Sequence, residues 1–237
     1  TPQDTLSAAY GAALALVQLR DGPAAQQALA RLQAQQRLLQ AGTPLDAFSR
    51  QALALLDAEV RLAVGDAAGA MAVLQDAPGP MVRPQRLLWA SASLQAATSA
   101  AGVAGAGGPA GSAVAGARAA DAALRESAGR LQTWVAEHPR DATAWMLLAR
   151  HHEALGSRLR AMRAQAEARV LLGDLPAAID LLRGAQALAR GAAGADFIEA
   201  SVVDARLRAL EARRRQLAEQ RRAGRGGRAE PPGAPPQ

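Results

Sequence analysis

The 237-residue chain has no cysteine, no lysine and no asparagine, and only six aromatic residues: Tyr10, Phe48, Trp89, Trp134, Trp145 and Phe197. Without cysteine there is no disulfide and no thiolate metal site, while the compartment stays open. All 27 basic residues are arginine, a pattern that points to a coding bias toward Ala, Arg, Gly and Pro more than to a selected surface. No apolar run approaches the roughly 18 residues needed to cross a bilayer, and no signal peptide opens the chain. A Gly-x-Ser-x-Gly turn and a Walker-type loop are also missing. The glycines between Gly102 and Gly111 have no accompanying lysine, and they follow a helical stretch where a phosphate loop follows a strand.

What is present is helix-forming. Half of the residues are apolar, many of them alanine, which favours helix and lets helices approach closely but buries little surface. Stability must therefore come from leucine stripes in a thin core. The spacing predicts a first helix pair over 6–40, with Tyr10, Leu14, Val17, Leu29 and Leu32 in register and a turn at Asp21-Gly22-Pro23. A second pair places Leu45, Phe48, Leu55 and Leu62 on one face, turns at Gly65-Asp66 and continues with Met71 and Leu74. A third starts near Arg86 with Leu87, Leu88, Trp89 and Leu94, and its partner over 115–137 carries Leu124, Leu131 and Trp134. Between these two helices, 101–113 is expected to be a mobile Gly/Ala loop. Further helices are expected over 143–155 (Trp145, Leu148, His152, Leu155), 158–172 (Leu159, Met162, Ala166) and 175–190 (Leu175, Ala178, Ile179, Leu182, Ala185, Leu188). A last one follows from Asp196, with Phe197, Val202, Val203, Leu207 and Leu210. The composition of 223–237 predicts a disordered Arg/Gly/Pro tail.

The punctuation between helices repeats. Glu137-His138-Pro139 is followed by Asp141, Ala142, Trp145, Leu148 and the pair Leu155-Gly156. Val64-Gly65-Asp66 is followed by Ala70 and Leu74, and Leu172-Gly173-Asp174 by Ala178 and Leu182 at the same offsets. This is the pattern of tetratricopeptide helix pairs. It predicts an all-α fold, a tetratricopeptide-like right-handed superhelical stack of antiparallel helix pairs over 1–222, with about four pairs and a capping helix. Gly156 and Gly173 lie too close together for both to be the internal turn of successive standard units, so the frame is ambiguous by one helix.

The net charge of +6 is concentrated at the end: residues 1–210 carry 20 Arg against 18 acidic residues, and residues 211–237 carry 7 Arg against 3 Glu. No aromatic residue lies among the tail arginines, so nucleic acid is not an expected partner, and membrane contact is not expected apart from the basic tail; contact of the Arg-rich helix over 206–222 with acidic lipid headgroups or RNA is a third possibility. Glu59, Glu153 and Glu167 stand singly in helices and read as solvated or paired with a nearby Arg at helical spacing.

The stretch from His138 to Leu210, with HPRDATAWMLLARHHEALG, LLGDLPAAIDLLRGAQALAR and a closing DARLRAL, resembles the C-terminal repeat region of periplasmic HExxH zinc metalloendopeptidases related to the beta-barrel assembly-enhancing protease. The opening AAYGAALALVQLRDGPAAQQAL resembles the first repeat after the protease domain in that family. The resemblance implies a noncatalytic protein–protein interaction module in the periplasm, attached to an upstream zinc domain and acting in outer-membrane protein quality control. Its expected partners are protein clients or assembly-machinery subunits. Thr1 is not an initiator methionine, which fits a processed product or part of a longer protein. The alternative is a free-standing tetratricopeptide scaffold or assembly factor with no enzyme attached.

No catalytic residue, metal ligand or cofactor is assigned within these residues. His152-Glu153 lacks a second histidine one helical turn away, and His151 and His152 point about 100° apart on a helix. His152 falls on the apolar stripe and reads as a core residue; His138 reads as a helix-end residue near the carboxyl dipole. Arg150, Glu153, Arg160, Arg163 and Glu167, clustered on the most repeat-like helices, are the candidate partner contacts.

Overall fold

The computed structural model describes residues 2–39, 46–105, 110–191 and 196–226. Among them are ten helices and no strand: α1 (Pro2–Gln18), α2 (Gly22–Leu39), α3 (Ala47–Ala63), α4 (Ala67–Asp76), α5 (Arg83–Gly105), α6 (Ala110–Glu137), α7 (Ala142–Ala154), α8 (Arg158–Leu171), α9 (Leu175–Gly191) and α10 (Phe197–Gly226). The all-α expectation holds. The chain forms two compact units, one of Thr1–Pro139 with Arg150–Gly156, the other of Arg140–Ala149 with Ser157–Gln237, so the division runs through α7.

Three turns share one backbone design. In Leu19-Arg20-Asp21, Val64-Gly65-Asp66 and Leu172-Gly173-Asp174 the middle residue is left-handed, with φ of 61°, 87° and 84°. In each, the three N–H groups reach back four, three and five residues to the carbonyls of the preceding helix, at 2.8 to 3.2 Å. The aspartate then accepts the N–H three residues on: Ala24 from Asp21 at 3.0 Å, Gly69 from Asp66 at 2.9 Å and Ala177 from Asp174 at 3.2 Å. This closes the orphan carbonyls of one helix and an orphan amide of the next within three residues. Five and nine positions past the left-handed residue come Ala25 and Leu29, Ala70 and Leu74, and Ala178 and Leu182, each at most 6% exposed.

The first of these turns lies one residue earlier than Asp21-Gly22-Pro23, because Arg20 takes the left-handed position and Gly22 already begins α2. The turn at Gly156 also has a positive φ, but its Ser157 makes no side-chain cap to α8. The set of equivalent turns therefore contains Gly173 and not Gly156.

In the first unit α1, α2 and α3 bury Ala13, Ala25, Leu29, Leu32, Leu56 and Val60. The other face of α3 packs with α4 and α5 around Ala58, Ala70, Leu74, Trp89 and Ala92. Alanine at these seams lets helices close up, so the leucines that interlock beside it supply most of the apolar area, about 2 kcal/mol for each fully buried side chain. Side chains of α5 also close the ends of their neighbours: Gln85 donates to the Leu74 carbonyl at 2.5 Å and Gln95 to the Leu62 carbonyl at 3.1 Å. Against α6, the Arg130 guanidinium lies 4.6 Å from the Trp89 ring centroid and Arg86 lies 5.1 Å from that of Trp134, which stacks on His138 at 3.6 Å. In the second unit α8, α9 and α10 enclose Ala166, Ala178, Ile179, Leu182, Ala185, Val203, Leu207 and Leu210.

Several positions depart from the periodic reading. Phe48, placed with Leu55 and Leu62 on a core face, is 78% exposed. Leu55 and Leu62 reach the α4–α5 cluster, whereas Phe48 lies on the first turn of α3, beside α1. Phe197 and Val202 on α10 are likewise exposed, while Val203, Leu207 and Leu210 are buried. The expected mobile loop over 101–113 is too long: α5 continues to Gly105 and α6 starts at Ala110, and 106–109 lie outside the described residues. The tail expected from 223 begins as helix up to Gly226, and the rest of it lies outside the described residues, as does Leu45.

Two substitution series test the repeated turn. Leu74→Ala and Leu182→Ala should each cost about 3 kcal/mol, and Asp66→Ala and Asp174→Ala about 1 kcal/mol each. Ser157→Ala, which removes no cap, should stay within about 0.5 kcal/mol in urea unfolding.

Candidate functional site

Three of the five candidate contacts face another helix of the same chain. Arg160 on α8 pairs with Asp196 at 2.7 Å, at the start of α10, and lies 3.9 Å from Glu199. Arg163 pairs closely with Glu199, which is buried, and Glu167 holds Arg206 through both carboxylate oxygens at 2.7 and 2.5 Å. Arg183 of α9 adds a pair with Glu211 at 2.7 Å, and Gln186 donates to Asp204 at 2.8 Å. These contacts line α10 on both of its neighbours and fix its register. Arg150 and Glu153 are exposed on α7 and belong to the other unit.

Glu167 thus satisfies the expectation of a carboxylate paired with arginine, through a helix distant in sequence and not by helical spacing. Glu153 is exposed. Glu59 behaves differently: burial raises its pKa above the ordinary value, and its charge, after burial, helps to raise that of Tyr10.

Tyr10 belongs to a cleft of about 390 Å³ between α1, α2 and α3. Its apolar walls are Leu6, Tyr10, Leu32, Phe48 and Leu53, and Ser7, Gln36 and Ser49 add polar atoms. Asp46 caps α3 here through the Ser49 amide at 2.6 Å, which sets the first turn of α3 and with it Phe48. An exposed phenylalanine over an apolar trough is a surface that a partner side chain can cover. No sequence signal marked this cleft, because Phe48 has the spacing of Leu55 and Leu62 and differs from them only in what lies beside it in the fold.

The histidines are structural. His151 and Ser93 are both fully buried, and His151 Nε2 lies 3.0 Å from Ser93 Oγ. The same hydroxyl lies 2.9 Å from the Ala90 carbonyl, so it is held between the imidazole and the backbone of its own helix, away from solvent. His152 is buried on its stripe as expected, and His138 sits against the Trp134 ring and carbonyl. Among the described residues no group of three or more His, Asp or Glu could hold a metal ion, and no helix is long and apolar enough to cross a membrane. No protein-family model matches the chain, and no curated protein is significantly similar to it.

Two pH responses follow from these surroundings. The carboxyls of Asp46, Asp66 and Asp196 are held below the ordinary value, first by the capped backbone amides and, at Asp66 and Asp196, also by Arg61 and Arg160. Their stabilisation is complete above the unfolded value and is lost as pH falls through the lower native values, so stability should drop in that acid range and Asp66→Asn should flatten the drop. Glu59 has the opposite sign. Glu59→Gln should stabilise the fold at pH 7 by under about 1 kcal/mol, and the gain should vanish once pH falls below the unfolded value of the carboxyl. Thermal unfolding at stepped pH measures both.

Proposed function

We propose that this chain is a noncatalytic protein–protein interaction module, a tetratricopeptide-like array of antiparallel helix pairs that holds a client or assembly partner. The observation that carries this reading is the turn repeated at Arg20, Gly65 and Gly173, with the same hydrogen bonds, the same aspartate cap and the same buried Ala and Leu offsets. Stacked helix pairs of this kind present shape to a partner and carry no reacting group of their own. The partner contact is assigned to the cleft around Tyr10 and Phe48, where apolar surface is left uncovered, in preference to Arg160, Arg163 and Glu167, which already bind α10.

The resemblance of the 138–210 stretch extends the proposal. The module is the C-terminal repeat region of a periplasmic HExxH zinc metalloendopeptidase in outer-membrane protein quality control. Its role there is positional, raising the concentration of a captured segment near a zinc site that lies upstream. The residues encoded before Thr1 are then expected to include an HExxH helix, and a lipobox or short leader in that place would favour a free-standing assembly factor.

The cleft gives a kinetic test. In the whole protease, Phe48→Ser combined with Tyr10→Ala should raise KM for a client protein about tenfold and leave kcat unchanged, since only substrate capture is weakened. An unchanged KM in a folded variant removes the cleft from the proposal.

A further inference from the structure

Along α10 the use of arginine changes toward Glu211. Up to it, Arg206 is neutralised by Glu167, and Glu199 and Glu211 of α10 neutralise Arg163 and Arg183, while the exposed Arg208 donates to the Asp204 carbonyl at 3.3 Å. Beyond it, α10 runs on to Gly226 with no other helix against it among the described residues past Leu210 and Glu211. Arg213, Arg214, Arg215, Arg221 and Arg222 fall on this arm; all are exposed, and none makes an ion pair among the described residues. Glu219 is the only acidic residue between them.

The helix organises these charges. Arg214 and Arg221 stand two turns apart on one stripe, Arg215 and Arg222 on the neighbouring stripe, and the whole set spans about 15 Å of axis. The first stripe continues the line of Val203 and Leu210, so the side that buries apolar residues in the first half of α10 carries guanidinium groups in the second. Five arginines on a short rigid rod are the number and type that bind a surface of phosphates, since each guanidinium can fork onto one phosphate. The arm has no aromatic residue for stacking bases and a single large apolar side chain, Leu217, 39% exposed. That argues against single-stranded nucleic acid and against deep insertion into a bilayer.

We infer that the arm of α10 from Arg213 to Arg222 is a peripheral docking site for the anionic phospholipid headgroups of a membrane. The choice of lipid over duplex nucleic acid rests on the envelope reading above; the docking itself rests on the unneutralised charge. The contact is electrostatic and superficial, so it holds the module beside a membrane without anchoring it.

Cosedimentation of the full chain with vesicles of phosphatidylcholine, with and without phosphatidylglycerol, tests this. Binding should require phosphatidylglycerol. It should also weaken by at least tenfold between about 0.01 M and 0.15 M salt, where the screening length falls from about 30 Å to about 8 Å. The combined change Arg213→Gln, Arg214→Gln, Arg215→Gln, Arg221→Gln and Arg222→Gln should lower binding at least tenfold, with helix content kept. The corresponding five Lys substitutions should hold binding to within about threefold, because the charge is retained. Absence of binding to anionic vesicles at low salt, or equal binding by the Gln variant, overturns the inference, as does tighter capture of duplex DNA at the same phosphate concentration. Lipid binding found together with no HExxH helix upstream of Thr1 would leave this inference standing and remove only the protease assignment.

Discussion

A left-handed residue followed by an aspartate governs how this chain folds back on itself. The left-handed residue reverses the chain in the fewest residues, and the aspartate satisfies an amide of the new helix as soon as it starts. Because the geometry is the same each time, the residue five places on always faces the preceding helix. Alanine is fully buried at that position each time, and the leucine four residues later is buried with it. The fixed offset couples turn chemistry to packing, and the thin cores of both units are built on it.

Charge does two different jobs on the same kind of side chain. Where helices lie side by side, as α8, α9 and α10 do, arginine and carboxylate reach across the seam, and half-buried pairs such as Glu167 with Arg206 set register at modest net energy. Where a helix outruns its neighbours there is no carboxylate to meet, and the same residue type remains a solvated cation. An alphabet without lysine makes the two situations look alike in sequence, and only the ends of the neighbouring helices separate them.

The apolar residues show the same division. Phe48 has the spacing of Leu55 and Leu62, yet it lies open at a cleft because the helices that cover its stripe do not extend that far. Ser93 and His151, distant in sequence, meet inside the first unit, where the Ser93 hydroxyl lies against the His151 ring and the Ala90 carbonyl. One looks like core and is surface; the others carry the atoms of a catalytic pair and are core. Side-chain chemistry becomes function only where solvent or a partner can reach it.

Sequence alone determined the helices, their approximate ends, the buried stripes of α9 and most of α7, and two of the three equivalent turns, since glycine and the Ala/Leu offsets are local signals. It placed the remaining turn one residue late, at Asp21-Gly22-Pro23, because Arg20, and not glycine, adopts the left-handed conformation there. It could not separate the Gly156 turn from the Gly173 turn, because the distinction lies in whether the next side chain caps a helix. Which arginines are spent on α10, which remain free, and where an apolar stripe runs past its cover were decided by tertiary structure. Each depends on where a neighbouring helix ends, and no local pattern of residues encodes that.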